Sequence, residues 1–165
     1  MDSLLTLTTL VVLPLVGALL VALTPKAATQ LQRLITLLTT VVVGVIGVLL
    51  YLDFDGTSAA AQFTQTTPWF TLPGGIAVHW RLGLDGLSVL MVGLTAVLGP
   101  IVVLSTWGHI EHRVKEFMIW LLVMQTGMLG VFLSLDLVLF YVFWETSLVP
   151  LYFMLGIWGG DRRLY

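Results

Sequence analysis

One carboxylic acid stands inside an otherwise apolar run. The stretch Phe140-Tyr-Val-Phe-Trp-Glu-Thr-Ser-Leu-Val-Pro-Leu-Tyr152 carries Glu145 near its middle. If the run crosses a bilayer, that carboxyl lies deep in hydrocarbon or in a wet protein interior. An ionisable group there is expensive, and it is usually functional and partnered. At helical spacing Glu145 shares a face with Tyr141, Val142, Leu148, Val149 and Tyr152. The two tyrosine hydroxyls, one and two turns away, suit a water or a proton wire. Pro150 has no N–H, so the carbonyl of Thr146 loses its helical donor one residue from the glutamate. Two readings fit: a proton-handling or charge-relay group, or a protonated carboxyl bonded to another helix as packing glue.

The remaining polar groups narrow the chemistry. All seven Lys and Arg lie in or beside the predicted loops, so no basic residue of the chain can pair with Glu145 at depth. Either desolvation keeps the carboxyl neutral, or its counter-charge comes from a partner subunit or a longer chain. Asp136 lies nine residues earlier, half a turn out of phase and about 13 Å away along a helix axis, so the two acids are not a pair. Asp136 reads as an N-cap at the Ser134-Leu-Asp turn or as a point where protons are taken up. Asp85, before Gly86-Leu87-Ser88, also has an N-cap position. Gln125 falls mid-span beside Thr126 and Gly127, suited to interhelical bonding or a water wire. Thr126 and Gly130 make a small-xxx-small spacing that favours close helix contact. His109 and His112 have an i, i+3 spacing but no further ligands near, so no metal site is expected; His79 reads as structural. Absence of cysteine excludes disulfides, thiolate metal sites and thiol catalysis. No nucleotide loop, Ser-His-Asp arrangement or haem-type histidine pair is visible, and the scattered basic residues give no reason to expect nucleic acid.

The elements that must position these groups are membrane helices. The chain is 58% hydrophobic and 10% charged, whereas a soluble domain carries about 25% charged residues. The fold class is therefore an all-α integral membrane protein in a single domain. About 20 apolar residues span a bilayer, which predicts spans over about 4–23, 34–52, 85–107, 117–133 and 137–158, with an outer loop over 53–84. Pro14 and Pro100 fall inside the first and third spans. Thr36, Thr39 and Thr40 are expected to bond their own i−4 carbonyls. In the outer loop, Trp69, Phe70 and Trp80 read as interfacial anchors, and Val78–Leu82 as a short strand or the far side of a loop. Met1-Asp2-Ser3 lacks the basic lead of a secretory signal, so the first run is expected to be retained. With alternating loops, Lys26, Arg33, Arg113, Lys115, Arg162 and Arg163 share one side and Arg81 lies opposite. The positive-inside rule puts the N-terminus outside and the C-terminus in the cytoplasm, in a bacterial cytoplasmic membrane.

Four motifs bring a family into view: Leu82-Gly-Leu-Asp-Gly-Leu-Ser88, Leu133-Ser-Leu-Asp136, Phe143-Trp-Glu-Thr-Ser-Leu-Val-Pro-Leu-Tyr152 and Gly156-Ile-Trp-Gly-Gly-Asp-Arg-Arg163. They resemble chain M of the proton-translocating NADH-quinone oxidoreductase, respiratory complex I. Mitochondrial chain 4 and the D chain of photosynthetic complexes are close relatives, and Mrp-type antiporter subunits are more distant ones. The resemblance is close over the last eighty or so residues and looser before them. It implies a subunit without a redox centre that moves protons while other subunits carry NADH, FMN, iron–sulfur clusters and quinone. Glu145 matches the family's key glutamate on the fifth helix, which pairs with a lysine on the seventh; Asp136 and Asp85 match recurrent acidic positions.

The family's chains are longer and hold two inverted repeats of five helices, of which the fourth and fifth spans here would be the first two. The expectation is a truncated copy or fragment, unable to pump alone, with the lysine supplied by a missing C-terminal half or a neighbouring subunit. Its expected function is proton translocation coupled to electron transfer from NADH to quinone, as a translocase subunit with no self-contained active site. Expected partners are the lipid bilayer and other membrane-arm subunits of complex I. A cation/proton antiporter subunit and a non-catalytic membrane scaffold remain the alternatives.

Overall fold

In the computed structural model, residues 3–75 and 77–160 are described, with side chains from Leu7 onward. Five helices form a bundle: α1 Ser3–Leu23, α2 Thr29–Asp53, α3 Ser88–Thr106, α4 Val114–Leu133 and α5 Leu137–Trp158. Helices α2 to α5 are each long and apolar enough to cross a membrane; in α1 the apolar helix with described side chains, Leu7–Leu23, is shorter. The chain is a multi-pass membrane protein. In such helices apolar residues point everywhere, and the inward face is set by spacing. On α1 the buried Leu7, Leu10, Val11, Ala18 and Val21 recur at three- and four-residue steps and their multiples.

The stretch between α2 and α3 adds β structure to the helical bundle. Strands β1 Gln62–Thr71 and β2 Ala77–Leu84 pair antiparallel, with Gln65 opposite Leu82 and Thr67 opposite Trp80. The segment Val78–Leu82, read from sequence as strand or loop, is strand. Pro73-Gly74-Gly75 leads the reversal, and both glycines have positive φ (99° and 82°), a conformation other residues rarely adopt. Gln65 and Trp80 tie the hairpin to α1: Thr8 Oγ1 donates to Gln65 Oε1 at 2.7 Å, and Trp80 Nε1 donates to Thr8 Oγ1 at 3.2 Å. Trp80 also meets Trp69 and Phe143 edge to face. Trp80 thus packs against α1 and α5, while Trp69 and Phe70 are exposed.

Two apolar cores divide the bundle by height. The one beneath the hairpin gathers Leu10, Val43, Leu82, Val92, Leu129 and Leu139. The one near the α3–α4 loop gathers Val21, Val103, Phe117, Met118 and Leu122. At that loop end three side-chain bonds tie helices α2, α4 and α5 to the connecting turns. Arg33 Nη2 donates to the Ile110 carbonyl at 2.8 Å, Lys115 Nζ to the Thr24 carbonyl at 2.7 Å, and Trp158 Nε1 to the His112 carbonyl at 3.0 Å.

Helix α2 starts earlier than the span expected from residue 34. Gln32 and Arg33, just before that expected span, are helical and buried (0% and 9% exposed). The reason is partner supply: Gln32 Nε2 finds the Pro25 carbonyl at 2.8 Å, and the Arg33 guanidinium reaches Ile110 and lies 5.9 Å from the centre of the Trp107 ring.

Candidate functional site

Helix α5 is placed by its first residue's neighbour. Asp136 Oδ1 accepts from the N–H groups of Val138 (2.9 Å) and Leu139 (3.2 Å), satisfying two orphan donors of the helix start. Its Oδ2 accepts from the His79 N–H of β2 at 3.2 Å. Beside it the Leu135 N–H donates to the Arg81 carbonyl at 2.8 Å. So the α4–α5 turn is clipped to the edge of β2, and the hairpin fixes where α5 begins. Burial opposes ionisation of Asp136. The N–H donors of His79, Leu139 and Val138, with the His79 side chain, outweigh it and hold the carboxyl below its ordinary range. The geometry uses both carboxylate oxygens as a clamp.

Asp85 does similar work for α3. Its Oδ1 accepts from Ser88 N (2.7 Å) and Leu87 N (3.0 Å), while Ser88 Oγ accepts from the Asp85 N–H at 2.7 Å. The Ser88 backbone bond is the main cause that lowers its carboxyl pKa, against a smaller opposing effect of burial. The helix proper starts at Ser88, three residues after this cap.

Helices α4 and α5 touch backbone to backbone. A Cβ on Gly127 would stand 2.8 Å from Ser147 N, and one on Gly130 would enter the Phe143 ring. The sequence pointed to Thr126 and Gly130 for close contact. The structure uses Gly127 and Gly130, because these, three residues apart, face α5. Thr126 is 1% exposed and its hydroxyl has no partner.

Glu145 is exposed on the outer surface of α5. The face it shares is exposed throughout: Tyr141 60%, Leu148 42%, Val149 48% and Tyr152 75%. Tyr141 stands one turn before it on the same face. Thr146 turns its hydroxyl to the Val142 carbonyl at 2.7 Å. Among the described residues no basic side chain lies along the spans at Glu145's level; the bases sit at the two ends. Glu145 and Asp136 are not brought together, since Asp136 is engaged at the helix start.

Gln125 is 4% exposed and neither amide atom has a partner, so the interhelical bond expected of it is not made. An unpaired buried amide costs about 1–3 kcal/mol. Thr36 and Thr39 bond the carbonyls of Gln32 and Ile35, four residues back; Thr40 bonds that of Leu37, three back. His109 Nδ1 lies 3.0 Å from the Ser105 carbonyl, and His112 stacks on Trp158. Among the described residues no three His, Asp or Glu side chains gather as metal ligands. Asp161, Arg162 and Arg163 lie outside the described residues. What the sequence reading missed is that Gln32, Thr36 and Thr40 form one buried polar stripe. Their i, i+4, i+8 spacing was the available signal.

No family model matches the chain. Curated proteins do. It is 45% identical over 117 residues to NADH-quinone oxidoreductase subunit M of Rhodobacter capsulatus, covering 71% of this chain and 22% of that one. It is 36% identical over 163 residues to NADH-ubiquinone oxidoreductase chain 4 of Prototheca wickerhamii (92% and 31%). It is 39% identical over 115 residues to F420H2 dehydrogenase subunit M of Methanosarcina mazei (70% and 23%). The chain thus spans between 22% and 31% of the length of these relatives. Among solved structures, the membrane-bound sulfane sulfur reductase, an archaeal respiratory membrane complex, has a chain of the same fold. It matches with a TM-score of 0.68 at 22% identity, covering 93% of this chain and 23% of that one. With such identity across most of its own length, the chain belongs to the family of subunit M, or chain 4, of the NADH-quinone oxidoreductases.

Proposed function

We propose that this chain is part of the proton-translocating membrane subunit of complex I, which couples electron transfer from NADH to quinone with proton pumping, and that Glu145 is its proton-transfer group. One observation carries the reading: the acid in mid-span stands on a face that the chain leaves uncovered. A carboxyl is not left against lipid without a partner. Further protein therefore meets this face, either other spans of a longer subunit or a neighbouring membrane-arm subunit, and it brings a basic group. When that cation is close, the carboxylate is favoured and the proton leaves. When the cation withdraws, desolvation favours the acid and a proton is taken up. Tyr141, one turn away on the same helix face, would pass it on.

The redox steps belong to other subunits, which hold NADH, FMN, iron–sulfur clusters and quinone. In support, relatives named for NADH and for F420H2 share this stretch, as a segment remote from the donor would. Lys26, Arg33, Arg113 and Lys115 lie at the loop end and Arg81 on the hairpin. By the positive-inside rule the loop end faces the cytoplasm of a bacterial cell and the hairpin faces outward. The test is Glu145→Gln in the full-length protein within its assembly. Protons moved per quinone reduced should fall, with quinone reduction uncoupled or slowed. A wild-type ratio with weakened assembly would make the chain a scaffold instead.

A further inference from the structure

The acid that starts α5 and the acid in its middle belong to one piece of helix. Nine residues separate Asp136 from Glu145, about 13 Å along the axis. Pro150, which breaks the hydrogen-bond ladder, comes only after both. Between residues 137 and 149, α5 meets α4 by packing: Gly127 and Gly130 let Ser147 and Phe143 come close. The Thr146 and Ser147 hydroxyls bond carbonyls of α5 itself, and among the described residues no side chain of this stretch hydrogen-bonds another element. The bonds that fix its height and rotation lie at its start. There residues 134–136 run antiparallel beside β2. Ser134 bridges to Leu82, the Leu135 N–H meets the Arg81 carbonyl at 2.8 Å, and Asp136 Oδ2 takes the His79 N–H at 3.2 Å. Leu135 also lies over Gly83, where a Cβ would stand 2.6 Å from its Cδ1. The other oxygen of Asp136 caps Val138 and Leu139. One carboxylate thus joins hairpin to helix, with a different oxygen for each.

We infer that Asp136 is a positioning residue for Glu145: bonded to the His79 N–H, it sets the height and rotation at which α5 presents the Glu145 carboxyl to its partner. The inference rests on Glu145 being the proton-transfer group. What is asked of Asp136 is then a permanent double acceptor rather than a proton carrier. A proton on Oδ2 would face the His79 N–H, donor against donor, and break the link. A displacement of about 1 Å at a reacting group can cost about 100-fold in rate. A small loss of register at the start of α5 therefore reaches Glu145 as a loss of function.

The test uses the full-length protein in its membrane assembly. His79→Pro deletes the N–H and leaves Asp136 its charge and its cap. A proline is tolerated in a strand where its nitrogen owes the ladder no bond, and the His79 N–H is spent on Asp136, with Pro68 as its partner across the hairpin. His79→Ala keeps the N–H and is the control. Two quantities are read: protons moved per quinone reduced, and the infrared carboxyl band of Glu145, identified by its absence in Glu145→Gln. His79→Pro should lower the ratio at least about twofold, well inside the cost of a misplaced group, and should shift the band. His79→Ala should match wild type in both. A merely structural role would lower the melting temperature of His79→Pro and leave the band in place. A wild-type ratio and band in His79→Pro, beside an impaired Glu145→Gln, would overturn this inference and leave the reading of Glu145 standing; a wild-type ratio in Glu145→Gln would remove both. If His79→Pro does not assemble, Asp136→Asn decides, since its single acceptor oxygen keeps the cap and gives up the link. A lowered ratio with a shifted band then supports positioning, and a lowered ratio with an unmoved band overturns it in favour of proton uptake at Asp136.

Discussion

Helices α4 and α5 are consecutive, antiparallel and almost equally apolar, yet they occupy opposite situations. Of the most apolar window of α4, 56% is buried within the chain; of that of α5, 17%. The polar groups of α4, Gln125 and Thr126, face inward. On α5, Glu145, Tyr141 and Tyr152 face outward. Helix α4 is the axis around which the five helices pack. Helix α5 is held by one side and offers the other. A polar residue in an apolar helix announces that it is special without saying where it points, because a helix that is apolar all round has no polar stripe to mark its outside. Only the glycines tell the two helices apart, since Gly127 and Gly130 mark the α4 surface that α5 must approach.

The strongest way to break this contrast is to separate the helices. Gly130→Leu would drive a side chain into the Phe143 ring, and Gly127→Leu would press on the Ser147 backbone, which cannot give way. Overpacking typically costs about 1–3 kcal/mol and more when backbone must move. Both variants should unfold at clearly lower temperature in detergent, or fail to accumulate. Normal melting for both would mean that α5 does not need α4, and the division into axis and offered face would fall.

A smaller effect is expected at the start of α5. Asp136→Ala removes a cap from two helix donors and the clip to His79. The loss should be about 1 kcal/mol, and Asp136→Asn should recover part of it. The sign of the pH dependence follows from the lowered carboxyl pKa. The unfolded group titrates near its ordinary 3.8 and the folded one lower. Its stabilisation is full above the unfolded value and is lost as pH falls through the folded one. Wild type should therefore lose more stability than Asp136→Ala between pH 5 and pH 2, as read by melting curves. Parallel losses in the two proteins would leave Asp136 without its clamp.

How far the sequence exposed all this depends on the scale of the feature. Helices were legible because about 20 apolar residues leave no soluble alternative, and Asp136 and Asp85 because a short acid before an apolar run has one common use. Glu145 stood out by its isolation. The hairpin was legible only in part: Gln62–Thr71 is rich in Thr and Gln, alternates poorly, and owes its strand form to pairing with β2 and to Thr8 on α1. The buried Gln32 and Arg33 were hidden because their partners, the carbonyls of Pro25 and Ile110, are backbone groups with no signature in sequence. The outward aim of Glu145 was equally hidden, since facing is a property of how α5 docks.

That outward face gives the smallest effect in the chain alone and the sharpest use of the contrast. Leu148 is 42% exposed beside Glu145, so Leu148→Ala removes little packing from these five helices. In the 165-residue chain in detergent its effect should stay within about 0.5 kcal/mol, as for exposed sites in general. The full-length assembly should respond differently. If further protein covers the Glu145 face, Leu148 is buried there, and truncating it costs about 2–5 kcal/mol as a core leucine does. A large loss in the assembly beside none in the chain would show the face to be a protein interface. No loss in either would leave the face against lipid, with no neighbour to bring Glu145 its cation, and the proton-transfer reading would lose its footing.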